Sequence, residues 1–539
     1  MKQAMQILRI APRNLTTENA ESAENKRTNN IVSAISADSA VKKCGRMVIL
    51  LLAVVTLPLK PTQAQDLAEF EKRMTEFTLD NGLKFLVLER HEAPVVSFHT
   101  YADVGSVDEV KGITGLAHLF EHMAFKGTKT IGTKDYAAEA KTMARMDELF
   151  DAVKKEKRKG DHADQEKLKQ LQEQFEQAQQ EAQKYITHDE YEEALTREGA
   201  AGFNAYTSED ATQYIVSLPS NKVELWMSLE SDRFANPVLR EFYKERDVVM
   251  EERRMMENSP YGRLGEEFQA LAYLAHPYGE PVIGHMSDVA TLTCREAEAF
   301  FKEYYGPSNL TIAIVGDVDP QQIKKLAEKY FAGIPSGPKP EPVETEEPPQ
   351  RGQRRVAVED PAQPVIGIGY HQPNVNHPDS AVFEAIAQII GVGRTSRLYK
   401  SLVKEKKIAV SASAGQSWSK YPGLFMFSAV PAKGRTNQEC EEAIYAEIEK
   451  LKAEAVAPEE LQKAKTRARA SLIRQLDSNS GLAAELTFYQ VITGDWRNLF
   501  RQLDKIGKVT ADDIQRVAKE YFISKNRTVG VIETVQAEK

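Results

Sequence analysis

His118-Leu119-Phe120-Glu121-His122 is the stretch on which the reading of this chain turns. Two imidazoles stand four residues apart, with a carboxylate one residue before the second. On an α-helix, positions i and i+4 share a face. Both rings can therefore reach one metal ion, and Glu121 lies close enough to act on a water beside it. The order is H-x-x-E-H, the inverse of the commoner zincin H-E-x-x-H. With 10 His and 79 acidic residues in 539, chance supplies ~0.03 such patterns per chain. The alternative is a polar helix face with unrelated histidines, and the flanks weigh against it. Leu116, Leu119, Phe120 and Met123 follow helical spacing and would bury one side. A buried helix with two His and a Glu needs partners for those groups, and a metal supplies them.

Two His do not complete a catalytic zinc site, where three protein ligands and a water are usual. The acidic run Glu241, Glu245, Glu251, Glu252 and Glu257 holds candidates, and any one of them could equally belong to a solvated helix face. A wider set of matches resolves the choice. They are Gly105-Ser106-Val107-Asp108-Glu109, Gly115 through Thr128, Asn204 through Asp210, Glu245 through Glu252, His276-Pro277-Tyr278-Gly279 with Ile283-Gly284, Tyr305 through Asn309, and Val315 through Asp319. In these the chain resembles the M16 (pitrilysin-type, inverzincin) zinc metallopeptidases, in the two-domain bacterial form related to mitochondrial processing peptidase. The likeness runs from about residue 70 to 535.

The resemblance implies a set of roles. His118, His122 and Glu252 would hold one Zn2+, with Glu245, seven residues before Glu252, as supporting carboxylate and part of the catalytic set. Glu251 ranks lower, roughly 100° around the helix from Glu252. Zinc in such a site brings the pKa of its water to about 7. Glu121 would take that proton as general base and pass it to the leaving amine. Asn204, Ala205, Tyr206 and Thr207 would form an edge strand that pairs with an extended peptide, a mode that tolerates many sequences. The bland reading of 202–218 is an ordinary hairpin, and the two are compatible.

The length allows two or more domains with real cores. The net charge of −9 argues against nucleic acid. Residues 1–64 carry 9 basic and 4 acidic side chains, so the chain without them stands at −14. That removal is expected. Lys42-Lys43-Cys44-Gly45-Arg46 is a basic n-region, and Met47 to Leu57 an apolar segment too short to span a bilayer comfortably. Pro61-Thr62-Gln63-Ala64 offers a signal-peptidase site, with cleavage after Ala64. The expected location is the periplasm or the exterior, with no stable membrane span after cleavage; an uncleaved anchor is the alternative. Residues 1–40 are unusually polar ahead of such a segment and point to a later translation start, near Val41. Cys294 and Cys440 remain as two free thiols by default.

Residues 65–334 read as one α/β domain. It has a hairpin around Asn81-Gly82, strands at Val95–Ala102 and Leu310–Val315, and the H-x-x-E-H helix between them. Residues 335–355 are rich in Pro, Glu and Gly and read as a linker. Residues 356–539 repeat the pattern loosely without the metal motif. They resemble the family's degenerate partner half, which closes with the first around a peptide-sized cavity. The fold class expected is α+β: two related α/β domains, each an antiparallel-rich sheet with helices packed on it.

Two departures from the family stand out. Residues 145–198 are extra, with Leu168, Leu171, Phe175, Ala178, Ala182 and Tyr185 in a heptad seam. Met146, Leu149 and Val153 could form the facing helix, with Gly160 near the turn. This reads as an inserted antiparallel helical hairpin, either a solvated spike or a docking arm, the spike being slightly favoured. Second, complete relatives carry an Arg and a Tyr seven apart in the second half. Val403 and Val410 stand at those positions here, and valine neither donates a hydrogen bond nor carries charge. Lys404 could replace the Arg; nothing replaces the Tyr. The expectation is a zinc endopeptidase for peptides or unfolded polypeptides, acting as the catalytic subunit of a heterodimer whose second M16-like chain supplies the Arg/Tyr pair. The alternatives are a non-catalytic scaffold or assembly subunit, and a maturation protease for one precursor.

Overall fold

The computed structural model describes residues 67–536, so the expected signal peptide and the expected cleavage after Ala64 lie outside the described residues. Two sheets organise the chain. The first contains β1 (Met74–Thr78), β2 (Lys84–Glu89), β3 (Val95–Ala102), β4 (Ala201–Thr207), β5 (Thr212–Pro219) and β6 (Leu310–Gly316), in spatial order β1-β2-β6-β3-β5-β4. The second contains β7 (Arg354–Asp360), β8 (Val365–Gln372), β9 (Ala409–Gln416), β10 (Gly423–Pro431) and β11 (Arg527–Thr534), in order β7-β11-β8-β10-β9. Apart from β1 the two are the same design. The β2/β6 pair is parallel, and so is β7/β11; every other neighbouring pair in both sheets is antiparallel. The chain is thus an α+β protein built twice.

The halves do not separate at the linker. The helix Pro260–Ala272, from the first half's sequence, packs on β7 and β11 of the second sheet. Its Leu264 joins Val358, Val365 and Ile532 in one buried cluster. Phe268 lies so close to β11 that a Cβ on Gly530 would meet its ring at 2.8 Å, so glycine is required there. Reciprocally, the helix Asn479–Thr493 packs on β6 and β3 of the first sheet. There Leu482, Leu486 and Tyr489 bury against Leu86, Leu88, Ala313 and Val315, and Thr487 Oγ1 lies 2.8 Å from His99 Nδ1 of β3. Both exchanged helices begin with the same cap, Ser259 accepting from Gly262 N–H and Ser478 from Gly481 N–H. Sequence division into 65–334 and 356–539 therefore cuts across two shared cores.

The linker is pinned to the body. Glu347 accepts backbone N–H groups of Leu274, Ala275 and His276 at 2.8, 2.9 and 3.2 Å. Tyr421 O–H accepts from Val343 N–H, and Gln350 Nε2 donates to Arg527 O. Its last two residues already belong to β7.

The extra segment is a helical hairpin, but with other bounds than 145–198. Its first helix runs without a break from Tyr136 to Lys157, started by Asp135 capping Ala138 N–H. The chain turns through Gly160 (φ 57°), and the second helix spans Gln165–Gln183. Glu190–Thr196 forms a separate short helix. The hairpin is not a free spike, because the base of its apolar seam packs on the body, while Leu168 and Leu171 farther out stay half-buried. Met146, Phe150 and Ala182 are members of the first domain's core, with Phe175 and Ala178 packed against it.

Candidate metal centre

The helix Leu116–Met123 starts from Gly115, held at φ 89°; a Cβ there would lie 2.6 Å from Ile283 O. Glu109 caps the helix, its carboxylate accepting Gly115 N–H at 2.8 Å and Ala117 N–H at 2.6 Å. Burial of this carboxyl group lifts its pKa to about 8, against the hydrogen bonds from the Ala117 and Gly115 N–H groups. Leu116, Ala117, Leu119, Phe120 and Met123 are buried, which turns His118, Glu121 and His122 outward, each half-buried.

The helix Phe242–Asn258 lies across them. His118 Nε2 and His122 Nε2 are each 3.8 Å from Glu252 Oε2. One ligand atom from each of the three lies within 4.8 Å of the others, the one such metal-capable group among the described residues. Zinc bonds of about 2 Å in a tetrahedron place ligand atoms about 3.4 Å apart, so small inward rotations of these side chains would close on an ion. Two imidazoles and a carboxylate are a donor set that zinc accepts. Glu251 is paired with Arg254 and mostly exposed, away from the cluster.

Behind the cluster, His122 Nδ1 lies 3.4 Å from Glu245 Oε2, and Lys126 Nζ is 2.5 Å from Glu245 Oε1 and 3.8 Å from Glu241. Burial opposes the Glu245 charge, but hydrogen bonds from His122 and Lys126 outweigh it and bring its pKa down to about 2. A fixed carboxylate on Nδ1 leaves Nε2 free to face a metal. Burial, with the neighbouring His122, lowers His118 to about 3, so it is a neutral ligand at ordinary pH. Glu121 is raised, mainly by burial and against a hydrogen bond from Thr207 Oγ1 at 2.7 Å. That is the direction that suits a general base.

Thr207 ends β4, which pairs only with β5 and leaves its other edge open. Ala205 is buried, and Asn204 is exposed on the same strand. Tyr206 O–H donates to Gln213 at 2.6 Å. The structure thus joins the strand Asn204–Thr207 to the Glu121 carboxylate through Thr207. Sequence reasoning assigned no role to Lys126, and none to Glu109 beyond membership of a matching segment. The signal for Glu109 is an acid just ahead of a glycine-led helix start; for Lys126 it is one helical turn beyond His122.

In the second half, the helix Ser380–Ile390 occupies the place of the H-x-x-E-H helix and is buried almost throughout, so it offers no metal chemistry. Val403 is half-buried on the turn Tyr399–Glu405. Val410 is 56% exposed on β9, the edge strand that corresponds to β4. Lys404 is exposed.

Two family models match the chain. One, described as Insulinase (Peptidase family M16), covers residues 84–146 and 178–285. The other, described as Peptidase M16 inactive domain, covers 291–468. Together they span more than half of the sequence, and the chain belongs to peptidase family M16. The relative "Zinc protease PqqE" of Helicobacter pylori is 27% identical over 454 residues, 83% of this chain and 89% of its own. The "Probable mitochondrial-processing peptidase subunit beta" of Schizosaccharomyces pombe is 24% identical, over 85% of this chain and 91% of its own. A crystal structure of a protease from Helicobacter pylori superposes with a TM-score of 0.71 at 27% identity, over 85% of this chain and 99% of that one. The first model passes over residues 147–177, so the extra segment is narrower than 145–198. The model described as inactive contains none of His118, Glu121, His122 and Glu252.

Proposed function

We propose that this chain is a zinc-dependent endopeptidase for extended, unfolded polypeptides and that it works as the catalytic member of a heterodimer. The observation that carries the reading is the convergence of His118, His122 and Glu252, with Glu121 beside them and tied to an open strand edge. A bound zinc would acidify the attacking water and polarise the scissile carbonyl. The chain's own residues do the rest. The β4 edge offers backbone N–H and C=O groups to an extended peptide, which sets the scissile bond beside Glu121. Thr207 orients the Glu121 carboxylate. Glu121 accepts a proton from the attacking water and returns it to the leaving nitrogen. Glu245, anchored by Lys126, keeps the His122 ring in one orientation.

Val403 and Val410 support the heterodimer, since the groups that would hold the substrate from the second half are absent. Lys42 to Ala64 supports export to the periplasm or beyond. No helix among the described residues is long and apolar enough to cross a membrane. The scaffold alternative is disfavoured by a complete donor set in the half that the inactive-domain model does not cover.

The test is metal analysis of the purified chain together with cleavage of an unfolded polypeptide, with and without a second M16-like chain carrying the Arg/Tyr pair. One zinc per chain, weak cleavage alone and strong cleavage in the mixture are expected. Strong cleavage by the isolated chain would overturn the heterodimer, and absence of zinc binding would overturn the peptidase.

A further inference from the structure

The hairpin insertion raises a question that the family's chemistry leaves open. Residues 147–177 fall outside the M16 model, yet three of their side chains close on one residue of the helix that carries Glu245 and Glu252. The Tyr243 ring lies 4.7 Å from Phe150 and 5.2 Å from Phe175, and those two rings are 5.6 Å apart. Tyr243 O–H donates to Asp147 Oδ1 at 2.8 Å. The Arg246 guanidinium lies 4.4 Å over the Phe150 ring, and both Tyr243 and Arg246 are buried. Nine residues at 100° each put Tyr243 on the face directly opposite Glu252. The hairpin therefore bears on the back of the helix whose front carries the third donor.

A polar chain runs the same way. Gln183 Nε2, at the end of the hairpin's second helix, donates to Glu241 Oε1 at 3.2 Å. Glu241 faces Lys126, Lys126 holds Glu245, and Glu245 meets His122. The far side of the hairpin is fixed too, with Lys154 donating to Thr291 O at 2.7 Å and Arg295 pairing with Asp151 at 2.7 Å.

We infer that the insertion is a brace, in which Asp147, Phe150 and Phe175 act through Tyr243 as positioning residues that hold Glu252 and Glu245 against the two histidines. The inference rests on the metal-site reading proposed above. Functional sites need their side chains held to within about 0.5 Å, and outer-shell supports of metal ligands typically carry 10–100-fold in affinity. Aromatic packing behind a helix is one way to supply that precision.

The test uses the full chain, zinc as the probe and competition with a chelating dye as the readout, with melting temperatures taken with and without zinc. Phe175→Ala empties the seat beside Tyr243 and is expected to weaken zinc binding roughly tenfold. Phe175→Leu, which refills most of the volume, should recover to within about twofold of the wild type. Tyr243→Phe removes only the hydroxyl that meets Asp147 and Cys294 and should lose roughly threefold; it carries the test alone if the alanine variant does not fold. A residue that merely stabilised the core would lower both melting temperatures equally and leave the zinc constant alone, and that result would overturn the brace. A wild-type chain that takes up no zinc is a different outcome, which removes the peptidase reading and the brace with it.

Discussion

Replacing Glu121 by Gln separates the metal from the proton. The two side chains have the same shape, and a carboxamide oxygen can still accept the Thr207 hydroxyl, which lies 2.7 Å from Glu121 Oε2. Glu121 is not among the three convergent donors, and glutamine keeps its shape beside them, so zinc affinity should stay within about twofold of the wild type. What is lost is the base. A positioned general base contributes about 10²–10⁴-fold, which at 1.36 kcal/mol per decade is about 3–5.5 kcal/mol of barrier. Burial already lifts the Glu121 pKa, so its basicity is tuned toward neutrality, and the loss should fall in the upper half of that range. The assay is turnover of an unfolded polypeptide by the zinc-loaded complex, with metal content measured on the same sample. Residual activity above a tenth of the wild type would refute the role of Glu121. Loss of zinc along with turnover would refute the geometry that sets it apart from the ligands.

Three further outcomes follow from the same structure. Val403→Arg with Val410→Tyr should raise peptide cleavage by the isolated chain at least about tenfold, as expected for substrate-positioning groups; an unchanged rate would remove the argument for a second subunit. Leu486→Ala, at a fully buried site between the exchanged helix Asn479–Thr493 and the first sheet, should cost about 2–5 kcal/mol and lower one shared calorimetric transition, whereas two transitions moving independently would contradict the interlocked cores. Asp108 is pushed up to about 7, chiefly by burial and against a hydrogen bond from Gly105 N–H. The unfolded chain releases this proton near 3.8 and the native chain only near 7, so native stability falls as pH rises through that window and levels off above it. Asp108→Asn escapes the loss, and its melting temperature relative to the wild type should climb between pH 4 and 7, corresponding to on the order of 1–3 kcal/mol; a flat difference would show that Asp108 ionises normally.

Much of this site was legible because its signals are local. An i, i+4 pair of histidines fixes which helix face they share, whereas Glu245 and Glu252 stand out from the acidic run only through the resemblance to the M16 family. Strand Val95–Ala102 has the expected bounds, since its run is closed sharply by Pro94 and Asp103. The seam of Leu168, Leu171 and Phe175 fixed a hairpin but not its seat. An apolar stripe states that a helix is covered and is silent about what covers it, so the partner role of Tyr243 was invisible. The same silence hid the exchange of Pro260–Ala272 and Asn479–Thr493, each of which reads as an ordinary helix of its own half. Proline-rich residues 335–353 carried no sign of their anchors, because Glu347 accepts from backbone groups that any residues could supply.

That exchange also sets a schedule for synthesis. The strands of the first sheet are complete at Gly316, but the helix that shields one of their faces begins at Asn479, beyond four strands of the second sheet. Until then Leu86, Leu88, Ala313 and Val315 have no cover from Leu482, Leu486 and Tyr489. A chain emerging end-first therefore exposes a sticky sheet face from Gly316 until the helix ending at Thr493 has followed. Such long-range closure slows folding and invites aggregation. The metal centre, by contrast, has its three donors and the hairpin behind them all written by Glu252.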